Sequence, residues 1–339
     1  MNNRKILLKS RPNGMPVDEN FELVSEPVGT PVEGEVLCRT VYMSLDPYMR
    51  GRMSAAKSYA KPVEIGDVME GGTVSRVIES NYDGLEPGDI VLGHDGWQEY
   101  GIAKGKHVRK LDPELAPVST ALGVLGMPGM TAYTGLHEIG QPQAGETLVV
   151  SAASGAVGGV VGQIAKIKGC RVIGIAGTEE KCRYVESELG FDRCINHRSD
   201  NLGEQLDEVC PDGIDVYWEN VGGKVLEAVI PRLNFQSRVP VCGIIANYND
   251  TALPEGPNYL PRLMRVILTQ RVLIRGFIVT DFAHLRPRFE KDMSHWIKNR
   301  EVRYREDIVE GLENAVSAFQ GLLQGRNFGK LLVQLSEIE

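Results

Sequence analysis

The apolar positions of this chain fall into two regimes that meet near Gly126. Beyond that point short apolar runs alternate regularly with helical stretches. The runs predict strands at 147–153, 171–176, 193–196, 214–219, 238–243 and 272–279, with helices at 157–168, 178–189, 201–210, 223–233 and 260–270. Leu148 to Ala153 is uniformly apolar or small, as expected of a parallel strand covered on both faces. The alternation predicts a parallel sheet with helices on either side. Two more helices are predicted at 284–299 and 311–323. Before Gly126 the pattern is β-rich and irregular, with short strands at 36–40, 72–79 and 89–92 parted by turns such as Glu86-Pro87-Gly88-Asp89. The tail, 329–335, reads as a last strand that returns to the first domain. The expectation is an α/β protein of two domains. Residues 1–125, completed by 310–339, form a β-rich one, and 126–309 form a doubly wound parallel-sheet domain. A cleft between two such domains is a natural meeting place for a cofactor and a substrate.

The sharpest local signal is Thr147–Gly162: a buried strand, a glycine turn and the opening of a helix. Gly155, Ala156, Val157 and Gly158 are expected to cradle a pyrophosphate, because glycines allow close backbone approach and a helix N-terminus offers unpaired N–H groups. The same spacing also serves a tight strand–helix turn with no ligand. The next strand ends at Gly177, where a dinucleotide site selective for NAD places an acid. Lys181 follows on the first turn of the next helix, where a cation can meet a 2′-phosphate, with Arg183 and Arg198 near in sequence. Read alone, Lys181 is one of many solvated helix lysines. Coupled to the missing acid, it points to NADPH/NADP+ rather than NADH.

Composition narrows the partners. The formal net charge of −8, without a basic run, argues against nucleic acid. No apolar stretch approaches ~18 residues, so no membrane span is expected, and Ile6-Leu7-Leu8 is too short for a signal peptide. A cytoplasmic protein is expected. The 6 cysteines and 6 histidines are dispersed, so no metal site is expected and most thiols are read as small buried hydrophobes.

Five segments carry a resemblance over nearly the whole length: Ser44–Met53, Val124–Tyr133, Ala152–Gly158, Glu219–Gly223 and Asn327–Lys330. With these the chain resembles the medium-chain dehydrogenase/reductase superfamily. Within it, the chain is similar to the zinc-independent prostaglandin/leukotriene reductases and plant alkenal double-bond reductases. The bacterial NADPH-dependent curcumin reductases look especially similar, down to Ser10-Arg11-Pro12 and Val241-Cys242-Gly243. The resemblance implies a GroES-like fold for the β-rich domain, a Rossmann fold for the second, and a homodimer. It implies that Asn220, Cys242, Gly243, Ile244, Tyr248, Phe277, Ile278 and Val279 line the nicotinamide and its ribose. Asn327 is implied to reach the cofactor from the C-terminal segment, and Gly177 and Lys181 to border the adenosine phosphate. Where prostaglandin reductases carry Asn-Tyr near that phosphate, this chain has Asn196-His197, so His197 is the candidate contact.

Zinc alcohol dehydrogenases of the superfamily use Cys and His-Glu ligands in the first domain. The corresponding stretches here, Ser44–Pro47 and Gly66–Gly71, lack the cysteine and the histidine. Reducing a carbonyl localises charge on one oxygen and asks for a Lewis acid or a strong proton donor. Adding hydride to the β-carbon of an enone spreads that charge over an enolate, which one or two hydrogen bonds can hold. The expected activity is therefore NADPH-dependent reduction of the C=C bond of a small-molecule enone or enal. Tyr248, just past the strand ending near Cys242-Gly243, is the expected phenol at the enolate oxygen. A tyrosine titrates near about 10, so it donates at neutral pH. A half-buried loop tyrosine would look the same in sequence. Tyr48 and Tyr59 are candidates for an aromatic substrate wall, and each is as readily explained by packing. Two rival functions are a zinc-independent NADPH quinone oxidoreductase and an NADPH-binding protein without turnover.

Overall fold

The computed structural model describes residues 1–253 and 256–338. The chain opens with an antiparallel pair, β1 (Asn2–Leu8) and β2 (Phe21–Pro27). The long strand β3 (Glu35–Ser44) follows, then the single turn α1 (Met49–Arg52). After them come β4 (Thr73–Ser80), β5 (Ile90–Gly93), β6 (Tyr100–Lys104) and β7 (Arg109–Lys110).

Helix α2 (Met127–Gly135) begins the second regime, in which strands and helices alternate. They are β8 (Thr147–Ser151), α3 (Gly158–Ile167), β9 (Arg171–Ala176), α4 (Glu179–Ser187), β10 (Arg193–Asn196) and α5 (Leu202–Val209). Then come β11 (Ile214–Trp218), α6 (Gly223–Val229), β12 (Leu233–Val241), α7 (Leu260–Gln270), β13 (Leu273–Gly276) and α8 (Arg286–Lys298). The chain finishes with β14 (Glu306–Glu310), α9 (Ala315–Leu323) and β15 (Lys330–Gln334). It divides into two compact units, residues 1–123 with 306–339, and residues 124–305.

In the first unit β14-β15-β3-β4-β5-β7 form a sheet, with β6 pairing β3. The C-terminal strand β15 runs antiparallel to β3, Leu332 opposite Ser44. The core under it holds Met43, Met49, Met53, Met69, Trp97 and Phe319, all 0% exposed. The four methionines among them are therefore core filler.

The second unit is a parallel sheet in the order β10-β9-β8-β11-β12-β13. Consecutive residues of β8 serve opposite faces. Leu148 and Val150 join one apolar cluster with Val172 and Trp218, and Val149 joins the other with Ile173 and Tyr217. Each such side chain removed from water contributes roughly 1.5–3 kcal/mol. The sheet order reverses between β8 and β11, and open α/β sheets bind ligands beyond the carboxyl ends of strands at that point.

Several element limits differ from the sequence reading. The helix expected over 223–233 stops at Val229 and tightens into a 3₁₀ turn at Ile230–Arg232, because Pro231 has no amide to continue the ladder. Strand β12 then starts at Leu233 rather than 238, since Asn234–Ser237 breaks the apolar run around a left-handed Gln236 (φ 58°). The strands expected to reach 153, 219, 243 and 279 end at Ser151, Trp218, Val241 and Gly276, where the chain turns into loops. The last two predicted helices begin later, at Arg286 and Ala315, each behind a 3₁₀ segment. Helix α2, buried along Pro128–Gly135, has no polar stripe to announce it.

Candidate active site

All strands of the second unit's sheet run parallel, so the loops that follow them gather along one edge. Every candidate of that unit sits on such a loop or on the first turn beyond it. Residues 155–158 follow β8, Gly177 and Lys181 follow β9, and His197 follows β10. Asn220 follows β11, Cys242, Gly243, Ile244 and Tyr248 follow β12, and Phe277, Ile278 and Val279 follow β13.

The glycine turn is built for close approach. Ala152 adopts a left-handed φ of 52°, and a Cβ at Gly158 would lie 2.3 Å from the Ala152 carbonyl oxygen. Only glycine fits there. Among the described residues the amides of Ala156, Val157 and Gly158 donate to no protein acceptor, and α3 has no side-chain N-cap. Such a set of donors at a helix start suits an anion.

At the end of β9, a Cβ on Gly177 would stand 3.4 Å from His197 Nε2 and 3.8 Å from Arg198 Nε. Thr178 caps α4 by accepting from the Lys181 amide at 3.2 Å. Lys181 is 9% exposed. Burial, then the positive charges of Arg198 and Lys181, hold the His197 imidazole below its usual range. Gly177, Lys181, His197 and Arg198 thus form one positive corner, whereas Arg183 faces solvent.

The point where the sheet order reverses carries a polar network that sequence reading did not assign. The Ser151 hydroxyl donates to Glu219 Oε1 at 3.2 Å and accepts the Asn220 amide at 2.9 Å. Glu219 Oε1 also accepts the amides of Val221 (2.6 Å) and Gly222 (2.9 Å). Its other oxygen is buried, as is the Tyr217 hydroxyl, which acts on this carboxyl as a donor. Burial pushes the Glu219 carboxyl above the usual carboxylate range. Asn220 is fixed at both ends of its amide: Nδ2 donates to Ser151 O at 2.7 Å, and Oδ1 accepts the Trp218 indole N–H at 3.0 Å.

This network ties two loops together. The amides of Cys242 and Ile245 donate to the carbonyls of Glu219 (2.9 Å) and Asn220 (3.2 Å). Tyr248 closes the short 3₁₀ turn Ile245–Asn247 and is half-buried. A Cβ at Gly243 would lie 3.0 Å from the Tyr248 hydroxyl oxygen. Burial and the nearby Glu219 push the Cys242 thiol up to about 12, so it stays protonated. Phe277 stacks edge-on against Trp218, 5.7 Å between centroids. Gly135 of α2 makes room for both rings.

The first unit holds the remaining candidates. Tyr48 stands at the start of α1, and Tyr59 is 59% exposed on the following loop. Between them lies Arg52, a residue that sequence reading passed over. Its Cζ is 5.4 Å from the Tyr48 ring and 4.4 Å from the Tyr59 ring, and its Nε donates to Glu70 Oε1 at 2.8 Å. Buried Lys330 donates to Asp46 Oδ1 at 2.7 Å and to Leu45 O at 2.8 Å, while the Ser44 hydroxyl donates to Asp46 Oδ2. Asp46 and Glu70, one from each of the two stretches that correspond to zinc ligands, are each engaged by a cation. Asn327 also belongs to this unit, where its Nδ2 donates to Gly329 O at 2.8 Å.

With this geometry in place, comparison with known proteins gives the family. Residues 4–111 match the N-terminal domain of oxidoreductases, and residues 156–299 match the family described as zinc-binding dehydrogenase. The chain belongs to the medium-chain dehydrogenase/reductase superfamily, on the branch of the curcumin, alkenal and prostaglandin reductases. It is 55% identical to the NADPH-dependent curcumin reductase of Escherichia coli, over 98% of this chain and 97% of that one. It is 41% identical to the NADP(+)-dependent 2-alkenal reductase of Nicotiana tabacum, covering 99% and 98% of the two chains. The crystal structure of CurA in complex with NADPH from Vibrio vulnificus superposes with a TM-score of 0.96 at 54% identity, covering 98% of this chain and 99% of that one.

Proposed function

We propose that this protein is an NADPH-dependent reductase of the C=C bond of α,β-unsaturated ketones and aldehydes. The observation that carries the reading is the convergence, on one sheet edge, of an amide-lined turn, a cationic corner and a tyrosine hydroxyl. The residues fit the dinucleotide. The unclaimed amides of 156–158 suit its pyrophosphate, and Lys181 with His197 and Arg198 suits a 2′-phosphate. Gly177 stands where an acid would select the unphosphorylated ribose. When bound, the reduced nicotinamide supplies a hydride to the β-carbon of the substrate.

The chain's own residues manage the charge that results. Tyr248 donates a hydrogen bond from its phenol to the enolate oxygen, which lowers the barrier without full proton transfer, and water supplies the proton that the α-carbon takes to give the saturated carbonyl. Asn220, locked by Ser151 and Trp218, lines the nicotinamide side, and Glu219 holds the loop that presents it. Asn327 contributes to cofactor binding from the C-terminal segment, and Tyr48 and Tyr59 present aromatic faces to a conjugated substrate.

The activities of two relatives support this reading: a curcumin reductase and a 2-alkenal reductase, both dependent on NADP(H). An assay of NADPH oxidation with a matched enone and quinone tests it. Tyr248→Phe is expected to lower turnover on the enone by roughly 10- to 1000-fold, the loss of one placed donor. A change below about twofold would remove Tyr248 from the mechanism, and turnover confined to the quinone would replace the reading.

We further propose a cytoplasmic homodimer. All six cysteines are free, which suits a reducing compartment. No helix of the described residues is long and apolar enough to cross a membrane. Strand β13 is the sheet's edge and is exposed throughout, and beside it Leu260, Met264 and Leu268 of α7 are 58%, 55% and 76% exposed. An unpaired edge next to an apolar helix suits pairing with the same edge of a second copy.

A further inference from the structure

We propose that Arg52 recognises an anionic oxygen, a carboxylate or phenolate, carried by a flat conjugated substrate. This rests on the reductase reading above and adds the substrate class to it. Arg52 is 5% exposed, and a guanidinium carries five N–H donors in one plane. Only Nε is used, in the 2.8 Å bond to Glu70.

Its two terminal nitrogens have no acceptor among the described residues, yet neither is sealed from the surface. Other well-covered arginines of this chain spend those nitrogens on the protein. Arg50 donates to Gly14 O at 2.8 Å, and Arg238 gives both terminal nitrogens to Gln141 O and Glu146. A guanidinium edge that solvent can reach, on a side chain otherwise covered, keeps donors that an acceptor oxygen can take in place of water.

The surroundings select the acceptor's shape. Tyr48 and Tyr59 hold the guanidinium between aromatic faces. A planar, conjugated group can stack on those rings while its oxygens meet the guanidinium edge in the paired geometry that favours carboxylates over point contacts. Glu70 neutralises the cation at rest, which keeps the slot from gathering anions without an aromatic body.

The test is calorimetric titration of the full-length protein, with and without NADP+, using benzylideneacetone and its para-carboxylate derivative. Wild type is expected to bind the carboxylate about tenfold more tightly than the neutral parent, a preference of ~1.4 kcal/mol. Arg52→Lys keeps the charge but not the flat fork. It is expected to erase most of that preference while leaving the parent within about twofold. Glu70→Gln removes the competing carboxylate and is expected to tighten the carboxylate probe about threefold or more, with no gain for the parent.

Equal loss on both probes in Arg52→Lys, or an unchanged preference, would overturn the assignment. If that variant does not fold, Glu70→Gln decides, because unchanged or weaker carboxylate binding overturns it as well. Binding needs no turnover. Selective binding without NADPH oxidation would end the reductase reading and leave Arg52 in place. Turnover of both ketones with no dependence on Arg52 would do the reverse.

Discussion

Tyr248 takes its place because position 243 has no side chain: a methyl group there would press on the phenolic oxygen from 3.0 Å. Gly243→Ala is therefore expected to lower enone turnover about tenfold, since a contact that close forces the hydroxyl off its position. The same change in a Tyr248→Phe background should cost almost nothing, and additive losses would show that Gly243 acts elsewhere. Lys181→Ala is expected to raise the KM for NADPH at least about tenfold and leave that for NADH within about twofold, because only one of them carries the third phosphate. Equal effects on both would contradict the cationic corner.

Glu219 offers a check through pH. Its carboxyl titrates above the ordinary value in the folded chain, so the unfolded chain gives up the proton first as pH rises. This group's contribution to stability is full below the unfolded pKa, about 4.3, and falls as pH climbs towards the folded value. Glu219→Gln can still accept from Val221 and Gly222 and cannot ionise. Its Tm relative to wild type should rise between mildly acid and neutral pH, whereas a constant difference would show that Glu219 does not titrate as described. The position of Lys181 one turn past the end of β9, beside Gly177, was legible in the sequence from its distance to the glycine turn. Ser151, Glu219 and Arg52 were not, because their meaning lies in partners 68 and 18 positions away.

At the scale of elements, the loops after β8 and β11 are tied together by the Ser151–Glu219–Asn220 network, and the small residues beside them set their shape. Gly135→Ala is a sharp case. Helix propensity favours alanine by roughly 1 kcal/mol, but its Cβ would sit 2.4 Å from the Trp218 ring and 2.6 Å from Phe277. Packing should win, with a net loss of about 1–3 kcal/mol in denaturant unfolding. A stabilised variant would mean that Trp218, and with it Asn220, is not held as described. The strands of the second unit were legible because burial on both faces leaves a continuous apolar run. Strand β12 was half hidden by its polar opening, and α2 was hidden altogether, since a helix buried all round shows no periodicity. In the first unit β1, β2, β6, β7 and β14 escaped notice, their exposed positions interrupting any apolar run.

On the scale of the whole molecule, each unit has its own core, and the C-terminal strand completes the first one beside β3. The strand itself was readable from its apolar run, and its pairing with β3 carries out the expected return. The exposed edge at β13 was not, since a strand with one free side has the same composition as a covered one. Sedimentation equilibrium should give twice the chain mass for wild type and the chain mass for Met264→Glu/Leu268→Glu; a monomeric wild type would dispose of the paired edge.

The proposed reaction sends hydride to the β-carbon of the enone and not to its carbonyl carbon. NADPH deuterated at the transferring position of the nicotinamide C4, incubated with the protein and a simple enone, tests it in one product analysis by NMR. Deuterium on the β-carbon of a saturated ketone is the predicted result. Deuterium on the carbinol carbon of an allylic alcohol would contradict it.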